Sequence, residues 1–150
     1  MDILDKDYVL TRGVDFDENL WFTSYSDEIL DNPEENGGKP FTGLAYELYN
    51  NGNLAYYCQY KNGYAEGTNV KFYKNGMVKS TEYMIKGQTR GIRKVWHENG
   101  KLKYEGEFKY GVCLKYTEWD DQGKLTGQKS FPTKDEMDYI DRLTSRDKSE

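Results

Sequence analysis

Glycine recurs through the middle of this chain on a 24-residue step, and few folds accommodate such a step. Gly43, Gly67 and Gly91 form one column, Gly52, Gly76 and Gly100 a second, and Gly63, Gly87 and Gly111 a third. Asparagine stands immediately before Gly52, Gly63, Gly76 and Gly100. Aligned, the copies run Gly43 to Gly52, Gly67 to Gly76 and Gly91 to Gly100, and a degraded fourth runs from Leu114 to Gly123, with leucine where the first glycine belongs. Self-similarity at this spacing means one supersecondary unit laid against copies of itself.

Short runs rich in Tyr, Phe, Trp and Val between Asn-Gly signals identify the unit as a β-hairpin. Over 101–110, Leu102, Tyr104, Phe108 and Tyr110 alternate with Lys101, Lys103, Glu105, Glu107 and Lys109, a period of two that predicts one apolar and one charged face. Leu44, Tyr46 and Leu48, then Thr68, Val70 and Phe72, are expected on the inner face of the outgoing strands. A two-residue turn at Asn75-Gly76 would set Phe72 opposite Lys79 and mix the faces. A three-residue loop, 74 to 76, instead pairs Phe72 with Val78, Trp96 with Leu102 and Leu48 with Leu54. That loop is a type I turn closed by a left-handed glycine. The same parity sets Glu82 against Lys94 on the apolar side, as a cross-strand charge pair or a polar spot in a groove.

The expected fold is all-β with one short C-terminal helix: a single-layer, curled antiparallel meander of seven or eight strands, about 35 Å wide at 4.8 Å per strand. Residues 39–131 hold the hairpin repeats. Residues 1–38 supply an acidic cap, with strands expected at Tyr8-Val9-Leu10-Thr11 and over 19–25 around a turn at Val14-Asp15-Phe16-Asp17, then a loop over 31–38. Residues 132–150 form a second cap: Thr133 to Glu136 is a capping box, followed by Met137, Ile140 and Leu143 at helical spacing. Residues 144–150 are expected to fray.

Charge is segregated. Residues 1–36 carry 11 acids and 2 bases (net −9), residues 37–131 carry 9 acids and 15 bases (net +6), and residues 132–150 carry 6 acids and 4 bases (net −2), together the overall −5. This sign disfavours a nucleic-acid ligand. No apolar run approaches the roughly 20 residues of a membrane span, and the N-terminus lacks the pattern of a signal peptide, so a cytoplasmic location is expected. Two cysteines and one histidine cannot assemble a four-ligand zinc set, and no cofactor is expected. His97 reads as an exposed strand residue, and Cys58 as a buried thiol among Tyr56 and Tyr60. With no partner for Cys113 and only turn-like contexts for Asp120-Asp121 and Glu34-Glu35, no catalytic set remains.

The stretch from Trp96 to Gly111 resembles the MORN (membrane occupation and recognition nexus) repeat in its bacterial variant, and Lys39-Pro40-Phe41-Thr42-Gly43 is similar to the usual lead-in to a first copy. The resemblance covers about residues 39–131. Single domains of this length with a short non-repetitive N-terminus resemble the YwqK-type antitoxin or immunity proteins. That resemblance implies a non-enzymatic module that binds and neutralises a protein toxin. Asp15, Asp17, Glu18, Asp27 and Glu28 are expected to meet a positively charged toxin surface, such as that of a nuclease domain. Trp21, Tyr49, Tyr57 and Tyr73 are the expected anchors, the tyrosines forming an outward row beside Lys71 and Arg93; cross-strand packing is the other reading of that row. A scaffold touching acidic membrane is the alternative function, disfavoured by the acidic arm.

Overall fold

The computed structural model describes residues 3–149. The N-terminal segment holds helix α1 (Lys6–Arg12), strand β1 (Val14–Asp15), helix α2 (Phe16–Asn19) and strands β2 (Trp21–Phe22) and β3 (Ile29–Leu30), with a single 3-10 turn at Glu34–Asn36. The repeats supply β4 (Gly43–Leu48), β5 (Leu54–Lys61), β6 (Tyr64–Phe72), β7 (Val78–Ile85), β8 (Gln88–Thr89), β9 (Gly91–Trp96), β10 (Leu102–Lys109), β11 (Val112–Trp119) and β12 (Leu125–Lys129). Helix α3 (Lys134–Ser149) closes the chain. Strands β4 to β12 form an open antiparallel meander, with β8 paired to β7 alone. β1 adds in parallel along the outer edge of β4, and β2–β3 make a separate ribbon.

The hairpin loops are those the parity argument requires. Leu48 pairs with Leu54, Phe72 with Val78 and Trp96 with Leu102. The Tyr73 N–H donates to Met77 O (2.8 Å) and the Gly76 N–H to Tyr73 O (2.9 Å), closing the three-residue loop. Gly76 and Gly100 sit at φ 91° and 87°, where a Cβ is strained.

One residue past each loop the ladder slips again. Glu47 pairs with Tyr56, Lys71 with Ser80 and Val95 with Tyr104, so Ala55, Lys79 and Lys103 are each extra in their strand, as is Thr126 in β12. This β-bulge reverses the alternation of every return strand relative to its first residue. Leu102 therefore shares a face with Trp96, whereas Tyr104 and Phe108 point to the other, which corrects the single apolar face expected for 101–110. Likewise Tyr57 lies on the face of Leu54 and Val70, while Tyr56, Cys58 and Tyr60 lie on the opposite one.

The cap at the β4 end also differs from expectation. Residues 8–11 are helical: the Asp5 carboxylate accepts the Tyr8 N–H (2.8 Å) as N-cap, and the helix stops at Gly13. The turn places Val9, fully buried, on Leu54, Tyr57, Val70 and Phe72. After Gly13 the chain runs along the β4 edge and crosses over. Phe16 of α2, Leu20 and Ile29 then pack on Ala45 from the second face, with Tyr56 and Tyr60 beside them. The acidic segment thus clasps the first repeat from both sides, which is how a one-layer sheet acquires a core at this end.

At the other end the capping box forms: the Thr133 N–H donates to Glu136 Oε1 (2.7 Å) and the Glu136 N–H to Thr133 Oγ1 (3.1 Å). Lys129, projecting from the second face of β12, pairs with Glu136 at 2.8 Å. The helix does not fray after Leu143 but continues to Ser149, because the Tyr110 hydroxyl donates to the Asp147 carboxylate; residue 150 lies outside the described residues.

Candidate protein-binding surface

Acidic side chains converge where β1 meets β4. Asp15 caps α2, its carboxylate accepting the Asp17 N–H at 3.0 Å, and so fixes the direction in which Asp17 and Glu18 leave the helix. Asp15, Glu18 and Asp31 share a groove of about 520 Å³ with Phe41 and Tyr46. On the neighbouring strand Glu47 titrates above the usual carboxylate range, first because it is partly buried and then because the charges of Asp17 and Asp15 oppose its own. Tyr56 donates to it at 3.4 Å. Among the described residues no cation lies within 4.0 Å of Asp15, Asp17, Glu18, Asp27 or Glu28. This end of the molecule is a concentrated, uncompensated negative field.

The ribbon carries the aromatic part. Trp21 is half-buried and pairs with Leu30, whereas Phe22 is 70% exposed and meets the Phe16 ring at a tilt of 54°, 5.5 Å between ring centres. Tyr25 is 76% exposed at the tip of the loop joining β2 to β3. That loop is held by one of its own hydroxyls and by Glu34 of the 3-10 turn. Thr23 Oγ1 donates to Ser26 O (2.8 Å), and Glu34 accepts the Ser24 N–H at 2.5 Å. Asp27 and Glu28 belong to the same loop, Glu28 lying against Gly63 of the first repeat tip. The structure thus brings Asp15, Asp17 and Glu18 together at the sheet edge, and sets Asp27 and Glu28 with Tyr25 on the ribbon tip. Sequence reasoning passed over Phe22 and Tyr25. The signal was present, since two large apolar residues adjacent in a strand cannot both face the core.

Two expectations about the tyrosine row are corrected. Tyr57 is fully buried, and its hydroxyl accepts the Leu4 N–H at 3.0 Å; the bulge at Ala55 turned it inward, so it is a core residue and not an anchor. Tyr49 and Tyr73 are half-buried, and their hydroxyls are committed inside the fold. Tyr49 donates to Phe72 O and Tyr73 to Trp96 O, both at 2.6 Å. His97, the third member of this column, is not a free strand residue either: it meets Trp119 O at 3.0 Å, and because a carbonyl only accepts, Nε2 carries the proton. Each copy thereby stitches itself to the next. Asn51 and Asn99 add parallel bonds to Lys74 O and Asp121 O, both at 2.8 Å. At the fourth copy the column ends in Asp120, which accepts the Gln122 and Lys124 N–H groups of its own turn.

The polar spot on the sheet exists with different partners. Glu82 faces Arg93 (3.6 Å) and Asn69 (3.3 Å) and accepts from Thr89 (2.9 Å), while Lys94 pairs across to Thr81 on the opposite face. Arg93 also lies over the Tyr104 ring, 5.5 Å from its centre. That ring shields Gly106, where a Cβ would collide with it, and stacks on Tyr116 at 5.7 Å. Burial pushes the Cys58 thiol up to about 12, which makes it unreactive at neutral pH. No group of three metal-ligating side chains occurs among the described residues, and no helix among them is long and apolar enough to cross a membrane.

Comparison with known proteins agrees with the repeat. Residues 41–62 and 90–110 match the family described as MORN repeat variant. A 63-residue stretch is 62% identical to the immunity protein YwqK of Bacillus subtilis (strain 168), covering 42% of this chain and 40% of that protein. The chain therefore spans less than half the length of this curated relative. Among solved structures, that of TarM is similar over 74% of this chain and 19% of its own, with 11% identity and a TM-score of 0.34, a likeness too loose to bear on function.

Proposed function

Starting from a MORN-repeat, YwqK-like chain, we propose that this protein is a non-enzymatic immunity protein or antitoxin, one that binds a cognate toxin in the cytoplasm and neutralises it. The observation that supports this reading best is the N-terminal segment, where Asp15, Asp17, Glu18, Asp27 and Glu28 have no cation among the described residues within 4.0 Å and Phe22 and Tyr25 stand exposed on the ribbon. Acids without a counter-cation cost stability through mutual repulsion, which adds to burial in raising the Glu47 pKa. A positive partner surface relieves that cost. Such a surface is typical of an enzyme that acts on nucleic acid, and a nuclease domain is the partner the charge fits best.

Division of labour follows from the physics of interfaces. Long-range attraction by Asp15, Asp17, Glu18, Asp27 and Glu28 accelerates encounter and rejects partners of the wrong sign. Desolvation of Phe22 and Tyr25, and of the half-exposed Trp21, supplies residence time. Surface plasmon resonance against the toxin encoded beside this protein tests the reading. The expected result is an association rate that falls steeply with salt, and a dissociation rate raised by Phe22→Ala or Tyr25→Ala. Failure to bind that toxin overturns the reading.

A further inference from the structure

The roof over the sheet is incomplete. On the first face, Leu4 and the α1 residue Val9 cover an apolar row that begins at Leu54 and Phe72 and reaches Val78. The row does not stop there. It continues across the later strands as Trp96, Leu102, Trp119 and Leu125, paired in register and belonging to neither of the two core clusters. Leu125 is 52% exposed, and Ile92 and Tyr83 on the same face are each 43% exposed.

Charge on this bare quarter is unlike that of the rest of the molecule. Lys94 stands opposite Glu105 in the ladder, and Lys115 is paired to Glu107 at 3.2 Å. Lys109, at the far end of β10 on the same face, makes three bases against two acids, alternating and close to balance, whereas the N-terminal segment carries −9. A strongly acidic or strongly basic partner finds no complement here. A surface of alternating sign complements itself, which is the requirement of an isologous interface.

We propose that this quarter of the first face is where a second copy of the chain docks, sheet on sheet, about a two-fold axis lying along the boundary between β9 and β10. That axis sets Lys94 of each copy over Glu105 of the other and Trp96 of each over the other's Leu102. The sheets would lie about 10 Å apart, crossing at about 30°, the spacing and angle of aligned sandwiches. The axis overlays β7, β9, β10 and β11 of the two copies, and four strands span only about 19 Å, so the contact falls below the roughly 800 Å² per partner of a standard interface and the dimer is weak. Docking leaves the acidic end of both copies open, so the proposal is independent of the immunity reading.

Sedimentation velocity on the full chain, from about 10 μM to about 1 mM, is the test. Wild type is expected to move from monomer to dimer mass across that range. Lys94→Glu alone and Glu105→Lys alone are each expected to stay monomeric, because like charges then face each other across the axis. An equimolar mixture of the two variants is expected to recover the dimer, since each supplies the charge the other lacks. The cross-strand pair within one chain is equally altered in the separate and mixed samples, so a purely intramolecular effect cannot give that recovery. Leu102→Glu gives a second readout, because a glutamate between Lys101 and Lys103 suits the exposed sheet yet is set against the other copy's Trp96 in the dimer. Its circular dichroism is expected to be native and its mass monomeric. A monomeric wild type throughout the range, variants that dimerise unchanged, or a mixture that stays monomeric overturns the proposal. So does a Leu102→Glu variant that dimerises normally but loses toxin binding, which would assign this quarter to the toxin.

Discussion

Removing the hydroxyl groups that join successive copies, by Tyr49→Phe and Tyr73→Phe, separates a structural role from a binding role at the same residues. Each hydroxyl donates a 2.6 Å bond to a backbone carbonyl one repeat away. A neutral hydrogen bond of this kind contributes about 1 kcal/mol net. The rings stay, so Lys79 keeps its position over the Tyr73 face, at 5.7 Å, and no cavity opens. Each single variant is therefore expected to lose about 1 kcal/mol, a fall in Tm of roughly 2–4 °C for a chain of this length. The double variant is expected to lose about 2 kcal/mol, with any departure from the sum reporting coupling, since the Tyr49 bond ends on the residue next to Tyr73. Urea denaturation followed by tryptophan fluorescence supplies the free energies, and surface plasmon resonance on the same samples supplies the toxin dissociation rate. Lower stability with unchanged dissociation is the expected pattern. Midpoints within about 0.3 kcal/mol of wild type, or dissociation several-fold faster at native stability, would refute the argument that these hydroxyls serve the sheet.

Gly100→Val is expected to cost more than about 1 kcal/mol through φ alone, because the nearest atom to the added Cβ is Met77 Cε at an ordinary 3.6 Å; an unchanged melting temperature would remove the left-handed loop assignment. Glu47→Gln is expected to stabilise the protein at neutral pH. The folded state raises this carboxyl's pKa, so the stability that protonation brings is complete below the ordinary carboxylate pKa of about 4.5 and is lost as pH rises through the folded value. The gain from glutamine should therefore shrink to nothing at acid pH, as melts from pH 3.5 to 7 would show. Replacing Asp15, Asp17, Glu18, Asp27 and Glu28 by their amides is expected to slow association with the toxin and flatten its salt dependence while leaving dissociation alone; a wild-type rate indifferent to salt would remove electrostatic steering. Converting His97, Cys58 and Cys113 to Gln, Ala and Ala is expected to preserve protection, and its loss with native circular dichroism would reveal a reactive site.

The parts of the fold set by backbone geometry could be read directly from residue spacing. Three glycine columns placed the loops, and the need to keep Phe72 off Lys79 decided their length. The second slip in each hairpin left no comparable mark, because Ala55, Lys79, Lys103 and Thr126 are not held to one side-chain type, lysine recurring only twice, and a bulge of this kind needs only backbone freedom. Its cost fell on Tyr57, whose face depends on counting that one residue. Helix α1 was hidden by β-favouring side chains at Tyr8, Val9 and Thr11. Asp5 as a cap, Gly13 as a stop and the need to cover Leu54 and Phe72 outweigh that preference. The last turns of α3 depend on Tyr110, 37 residues from Asp147, a tertiary tie that no local pattern announces. The acidity of the N-terminal segment was legible from composition, but its concentration at one sheet edge followed from the crossover at Gly13.

The column Tyr49, Tyr73, His97, Asp120 makes length a countable variable. A donor at the end of one block finds its acceptor in the next, so a block of 24 residues spliced between two existing ones keeps every donor in phase. Each such insertion would widen the sheet by two strands, about 10 Å, without touching either terminal cap. Asp120 acts as punctuation: an acceptor that folds back on its own turn offers a following block nothing to hold. Widening would leave the clasp on its first repeat and the helix on its last, and would lengthen only the span between them, so the distance from the acidic end to the opposite edge can be set in whole-block increments.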